Sequence, residues 1–129
     1  MKIFDSHCHL DDKAYRKDLV RVIERARQAG IARIMTIGVN KKTAVRAVEI
    51  AESHPYIYAS IGYHPHDASQ CSADELDFLT DLAQNPRVRA WGEIGLDYNR
   101  MYSPREDQEK WFIRQLQIAA QLKLPLIFH

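Results

Sequence analysis

The stretch "ARIMTIGVNKKTAVRAVEIAESHPYIYASIG", residues 32–62, decides the fold. A short apolar run, "ARIMTIG", leads into "KKTAVRAVEIAESH", whose apolar residues fall at helical spacing and which stops before Pro55. A second apolar run, "YIYASIG", follows at once. A helix set between two apolar strands is the unit of a parallel sheet with right-handed crossovers.

The same alternation extends in both directions. Upstream, "KIFDS" (2–6) reads as a strand. After it, "YRKDLVRVIERARQAG" (15–30) reads as a helix that presents Leu19, Val20, Ile23 and Ala26 on one face and stops at Gly30. Downstream, "SADELDFLTDLAQN" (72–85) predicts a helix with Ser72 as its N-cap and Glu75 closing a capping box. Then come the strand "RVRAWGEIG" (87–95), a loop "LDYNRMYSP" (96–104), the helix "REDQEKWFIRQLQIAAQLK" (105–123) and the strand "LPLIFH" (124–129). Five strands and four helices alternate in units of about 30 residues, with no linker or low-complexity tract between them. Two α/β architectures fit. An open doubly wound sheet would be complete at five strands, whereas a (β/α)₈ barrel would be half present, since a full one takes roughly 250 residues.

Composition sets limits on function. The 129 residues are 46% hydrophobic and 27% charged, as in one soluble globular domain. Eighteen basic residues stand against seventeen acidic ones, so net charge gives no general attraction to nucleic acid or anionic membrane, and a nucleic-acid substrate must be held locally. Cys8 and Cys71 lie far apart without framework spacing, which predicts a reducing compartment, the cytoplasm. "MKIFDSHCHL" turns polar too early for a signal peptide, and no apolar run reaches the length of a membrane span, so no membrane partner is expected.

Polar residues of metal-ligand type end four of the five strands, in "DSHCH", "GYHPH", "GEIGLDY" and "IFH". In either architecture the carboxyl ends of parallel strands form the ligand-binding edge, so these four clusters are expected to converge. Strand alternation puts Asp5, His7 and His9 on one face and Cys8 on the other, which sets two imidazoles to chelate one cation and argues against a thiolate site. Asp5, one layer deeper, is placed to accept a hydrogen bond from a ligand histidine and fix its tautomer. His-x-His alone reads equally as a polar pair at a strand end. Glu93 and His129 at equivalent strand ends shift the reading to a two-metal site in which the carboxylate bridges both ions. His64 and His66 flank Pro65 in a turn; His64 is assigned to the substrate and His66 chiefly to shaping the loop. Asp97 is placed to orient a histidine or contact substrate, and Tyr98 to wall the pocket. His54 caps a helix end, while Trp91, Trp111 and Phe112 belong to the core. Arg100 and Arg105 are either phosphate contacts or solvated surface. No Gly-rich phosphate loop, Gly-x-Ser-x-Gly elbow or Cys-x-x-Cys is present.

In order along the chain, "DSHCHL", "GYHPH", "GEIGLDY" and "PLIFH" resemble the TatD-family metal-dependent deoxyribonucleases. The resemblance implies a TIM-like (β/α) barrel of roughly twice this length, of which these residues cover the first five strands and four helices. Residues 1–129 are then expected to be the amino-terminal part of a single barrel domain, with the carboxy-terminal part as its missing partner. It implies a first metal on His7 and His9, Glu93 as bridge, a second metal on His129, His64 near the substrate phosphate, and DNA or another phosphodiester as substrate. Two Mg²⁺ or Mn²⁺ ions are favoured, with Zn²⁺ also compatible. A further histidine and the catalytic aspartate of the family are expected beyond residue 129, so the 129 residues alone are expected to lack turnover. Two other outcomes follow from the same residues. One is an amidohydrolase-like barrel enzyme cleaving an amide, lactone or phosphotriester, in which a carboxylated lysine commonly replaces the fifth-strand histidine. The other is an inactive metal-binding fragment.

Overall fold

The computed structural model describes residues 1–129. Five strands, β1 (Ile3–Cys8), β2 (Ile31–Ile37), β3 (Ile57–Ile61), β4 (Val88–Ile94) and β5 (Leu126–Phe128), alternate with four helices, α1 (Leu19–Gln28), α2 (Lys41–Ser53), α3 (Ala73–Leu82) and α4 (Arg105–Leu122). All strand pairs are parallel, and the order in space is the order in sequence. A doubly wound sheet must reverse its strand order at a switch point. This one does not, and uniform right-handed crossovers then place every helix on the same side. The chain is therefore five-eighths of a TIM-like barrel wall, with helices outside and an open concave face inside.

Burial follows that division. Between sheet and helices lies the main core, where Ile34, Ile57, Ile61 and Trp91 meet Ala44, Val48, Leu76, Leu79 and Ile118. The concave face carries only a small apolar group, Met35, Ile37 and Ala90. Helix α2 shows why the local sequence folds as it does. The Asn40 side chain accepts from the Thr43 N–H at 3.0 Å while the Thr43 hydroxyl accepts from the Asn40 N–H at 3.1 Å. Ala44, Ala47, Val48 and Ala51 then repeat at helical spacing and are all buried.

Three local expectations are corrected. The first helix does not begin at Tyr15: Asp12 accepts from the Ala14 N–H at 2.7 Å and closes a separate 3₁₀ turn over Lys13–Tyr15, so α1 starts only at Leu19. Val20 faces solvent at 60% exposure instead of the core, which in α1 holds Ile23 as its one fully buried residue. The capping box of α3 is half formed. Ser72 accepts from the Glu75 N–H at 3.2 Å, but the Glu75 carboxylate instead accepts from the Tyr63 hydroxyl at 2.7 Å and from Lys41 at 3.2 Å.

Gly92 adjusts the last strand to the sheet. Its φ is +148°, and a Cβ there would overlap the backbone of Ile127. That close approach seats β5, whose end is fixed when the His129 N–H donates to the Ile94 carbonyl at 2.9 Å. No helix is long and apolar enough to cross a membrane.

Candidate functional site

The four polar strand ends do converge, and they meet on Glu93. That residue is 7% exposed, and its two carboxylate oxygens face different partners. Oε2 lies 3.1 Å from His7 Nε2 and 3.9 Å from His9 Nε2. Oε1 lies 3.0 Å from His129 Nδ1 and 3.6 Å from His64 Nε2. One donor set, His7, His9 and Glu93, has its ligand atoms within 4.8 Å of one another, and so does a second, His64, His66 and His129. A cavity of about 280 Å³ opens here, walled by His9, Val39, His64, His66, Asp67 and Glu93.

Burial acts to raise the Glu93 pKa, but hydrogen bonds from His64 and His129, with the charges of His64 and His7, outweigh it and hold the carboxyl at about 2. Glu93 is thus an anion whose two oxygens are already divided between two clusters. Asp97 is also held well below the usual carboxylate range, first by the Arg100 backbone N–H, then by His66 and His129. The Cys8 thiol is pushed up to about 12, chiefly by burial and then by Asp5 and Asp11. It donates to the Met35 carbonyl at 3.5 Å, so it stays protonated and outside any ligand set.

Hydrogen bonding assigns ring protons on two histidines. His9 Nδ1 faces the Ile37 carbonyl at 3.1 Å and must donate to it, which leaves Nε2 as a lone pair directed at Glu93. His64 is arranged the opposite way. Its Nδ1 accepts from the His66 N–H at 3.1 Å, so in the neutral ring the proton resides on Nε2. His9 thus presents an Nε2 lone pair and His64 an Nε2–H, whose nearest partner is His129 Nδ1 at 3.0 Å.

Asp5, His66 and Tyr98 depart from expectation. The Asp5 carboxylate accepts from the backbone N–H of His7 at 3.2 Å, because the strand turns it back along its own chain, and no imidazole reaches it. Tyr98 does not wall the cavity. Its hydroxyl donates to Glu109 at 2.6 Å and its ring lies under Arg105, so the loop turns it toward α4. Arg105 is paired with Glu109 at 2.8 Å. His66 is more than a loop-former, since its Nε2 is 2.5 Å from Asp97 and its ring packs edge-on against His64. Asp97 also lies 3.3 Å from His129 Nε2, and so holds two of the histidines.

Two residues outside the predicted site fix this geometry. Gln115 of α4 is 1% exposed. Its Oε1 accepts from the Tyr63 N–H at 2.7 Å and from Trp91 Nε1 at 3.2 Å, and its Nε2 donates to the Tyr63 carbonyl at 3.0 Å. It clamps the residue before His64. Gln108, two turns earlier and equally buried, accepts from the Asp97 N–H at 2.8 Å and donates to the Ser103 carbonyl at 2.8 Å. Ser103 in turn donates to the His66 carbonyl at 2.8 Å. The available signal was two glutamines seven apart on the core-facing side of an otherwise apolar helix stripe, which only makes sense if they satisfy buried backbone.

The chain is similar in sequence and in fold to known proteins. A family model described as TatD related DNase matches residues 4–129. The uncharacterized metal-dependent hydrolase YabD of Bacillus subtilis is 39% identical over 127 residues, covering 98% of this chain and 50% of that protein. A protein named 3'-5' ssDNA/RNA exonuclease TatD from Pantoea sp. is 41% identical over 128 residues, covering 98% of this chain and 49% of its own. Among solved structures, YJJV, a TatD homolog from Escherichia coli K12, superposes with a TM-score of 0.90 at 31% identity over 98% of this chain and 50% of that one. An uncharacterized amidohydrolase from Saccharomyces cerevisiae gives 0.91 at 25% identity, over 100% and 48%. The chain spans about half the length of the curated relatives it matches.

Proposed function

The chain belongs to the TatD-related DNase family, and from that premise we propose that its residues form part of a divalent-metal-dependent hydrolase site that cleaves phosphodiester bonds of nucleic acid. The observation that carries this reading is the division of the Glu93 oxygens between His7 with His9 on one side and His129 on the other. Neutral imidazole nitrogens and a carboxylate ionised far below pH 7 suit divalent ions, Mn²⁺ and Zn²⁺ by ligand type and Mg²⁺ by carboxylate and water. His7, His9 and Glu93 would hold one ion, and Glu93 with His129 a second. The chemistry such ions supply when bound is charge neutralisation at the phosphoryl group and acidification of the attacking water.

The protein's own groups do the rest. His9 is kept in its ligand tautomer by the Ile37 carbonyl, and Asp97 sets the planes of His66 and His129. His64 Nε2–H is a donor for a non-bridging phosphate oxygen, its proton kept there by the His66 backbone. Asp5 supports this set only through the backbone of His7. The relatives' names favour nucleic acid as substrate. Both cysteines are free, in keeping with a cytoplasmic setting.

The test joins these 129 residues to the second half of the B. subtilis relative and measures release from a labelled single-stranded oligonucleotide with Mg²⁺ or Mn²⁺. The joined barrel is expected to cleave, the 129 residues alone to bind metal without turnover, and His7→Ala or Glu93→Ala to remove cleavage while the fold persists. A metal-loaded joined barrel that leaves DNA and RNA intact would refute the nuclease reading. Amide, lactone and phosphotriester substrates would then be tried, the yeast amidohydrolase being a structural neighbour of the same fold.

A further inference from the structure

A second cavity, of about 850 Å³, adjoins the site. The two share a wall. Val39 and His64 line the first, their chain neighbours Asn40 and Tyr63 line the second, and Asn40 Nδ2 donates to Asp67, a residue of the first, at 2.7 Å. A recess of about 430 Å³ continues it past Arg16 and Lys42 toward Arg46.

The chemistry of this groove is cationic although the chain as a whole carries only +1. Lys13 and Arg16 come from the β1–α1 connection, and Lys41 and Lys42 from the first turn of α2. Lys41 is held by Glu75 at 3.2 Å and Arg46 by Glu49 at 3.0 Å. Lys13, Arg16 and Lys42 have no carboxylate within ion-pair distance, so none of the three is held in a direct pair. Asp11 and Asp12 line the same groove, Asp11 with Oδ1 buried and Asp12 exposed and accepting from the Ala14 N–H, so the cations of the groove outnumber its carboxylates without being free of them. At about 850 Å³ with a further 430 Å³ beside it, the groove gives a single strand room to lie along the wall toward Glu93.

We propose that this groove is a phosphate track, in which Lys13, Arg16 and Lys42 hold backbone phosphates of a single nucleic-acid strand whose reacting phosphate lies at Glu93. The inference rests on the hydrolase reading above. It supplies what the near-neutral net charge withholds, a local electrostatic hold on the substrate.

The experiment measures binding of a fluorescein-labelled single-stranded 20-mer to the intact chain by anisotropy, in EDTA so that nothing is cleaved, across a salt series. The groove variant is K13E/R16E/K42E, and the control R21E/R25E/R114E removes equal charge from exposed helix faces. Circular dichroism checks that both fold. The groove variant is expected to lose on the order of tenfold or more in affinity, and its log–log salt slope to fall by about 2, as for three lost single-strand phosphate contacts. The control is expected to match the parent. Equal losses in both variants, no loss in either, or no oligonucleotide binding by the parent would overturn the track. So would displacement of the 20-mer by inorganic phosphate at the same phosphate concentration, which would mark an isolated-anion site. The two readings fail separately. Strand binding without metal-dependent cleavage in the joined barrel sinks the hydrolase and leaves the groove.

Discussion

Replacing Gln115 by leucine tests whether the site is braced from the helix layer. The two side chains are close in volume, so no large cavity forms, and the loss is confined to hydrogen bonds. Three go at once: the Tyr63 N–H, the Tyr63 carbonyl and Trp91 Nε1 all lose their partner, at a position 1% exposed. Each ordinary intramolecular hydrogen bond contributes a net of roughly 0.5–1.5 kcal/mol, and an orphaned buried group costs more. A destabilisation of about 3 kcal/mol is therefore expected. With an unfolding entropy near 2.1 cal/mol/K per residue over 129 residues, that lowers Tm by about 11 °C. Urea titration followed by circular dichroism and tryptophan fluorescence gives the value directly. Gln115→Glu would bury a carboxylate with one oxygen facing the Tyr63 carbonyl, so at pH 7 it should be no more stable than the leucine variant. A loss below about 1 kcal/mol for the leucine variant would show that Tyr63 and Trp91 find other partners, and would refute the bracing role.

Other perturbations reach different parts of the molecule. Gly92→Ala should cost about 2 kcal/mol or more, because a Cβ at φ +148° overlaps Ile127; hydrogen exchange at His129 should rise first, and unchanged protection there would contradict the account of β5. Glu93→Gln should weaken divalent-metal binding, read by calorimetry, by at least the roughly 10–100-fold that loss of a mere supporting partner costs, with parent-like binding excluding Glu93 as ligand. Glu75 is held below the usual carboxylate pKa first by the Tyr63 hydroxyl and then by Lys41, against the effect of burial. Its stabilisation is present above the ordinary carboxylate pKa and fades as pH falls through the lowered one, so the stability gap between the parent and Glu75→Gln should be full at pH 7 and narrow in acid. A gap constant across that range would remove the charge from the explanation.

The alternation of strands and helices was legible because three of the four helices have their own stops, Gly30, Pro55 and Pro86, and because an apolar stripe fits one side of a sheet. His7, His9, Glu93 and His129 were legible for a related reason: ligand-type residues at strand ends have nowhere to go but the carboxyl edge. What escaped depended on contacts far along the chain. The role of His66 is set by Asp97, 31 residues away, and that of Gln115 by Tyr63, 52 residues away. Tyr98 illustrates the opposite error. Proximity to Glu93 in sequence placed it in the pocket, yet a loop residue is free to turn outward, and a hydrogen bond to Glu109 decides that it does.

The bracing also bears on what half of a barrel wall can do. Four of the six donors are positioned by contacts within this chain: His9 by the Ile37 carbonyl, His64 by Gln115 through Tyr63, His66 by Ser103, and His129 by the Ile94 carbonyl. These supports come from strand backbones, the outer helix layer and the loop between β4 and α4, and none requires a wall across the concave face. Enclosure is another matter. The side chains of Glu93 and His64 are 10% and 11% exposed, whereas those of His7 and His9 are 39% and 42% exposed. Donor geometry is thus preorganised on the β3–β4 side and open to water on the β1 side. Metal binding draws chiefly on the first property and rapid hydrolysis on both, since electrostatic stabilisation of a reacting phosphate strengthens when water is excluded. The 129 residues should therefore bind ions before they can turn over substrate, with His7 and His9 the weaker half of the pair.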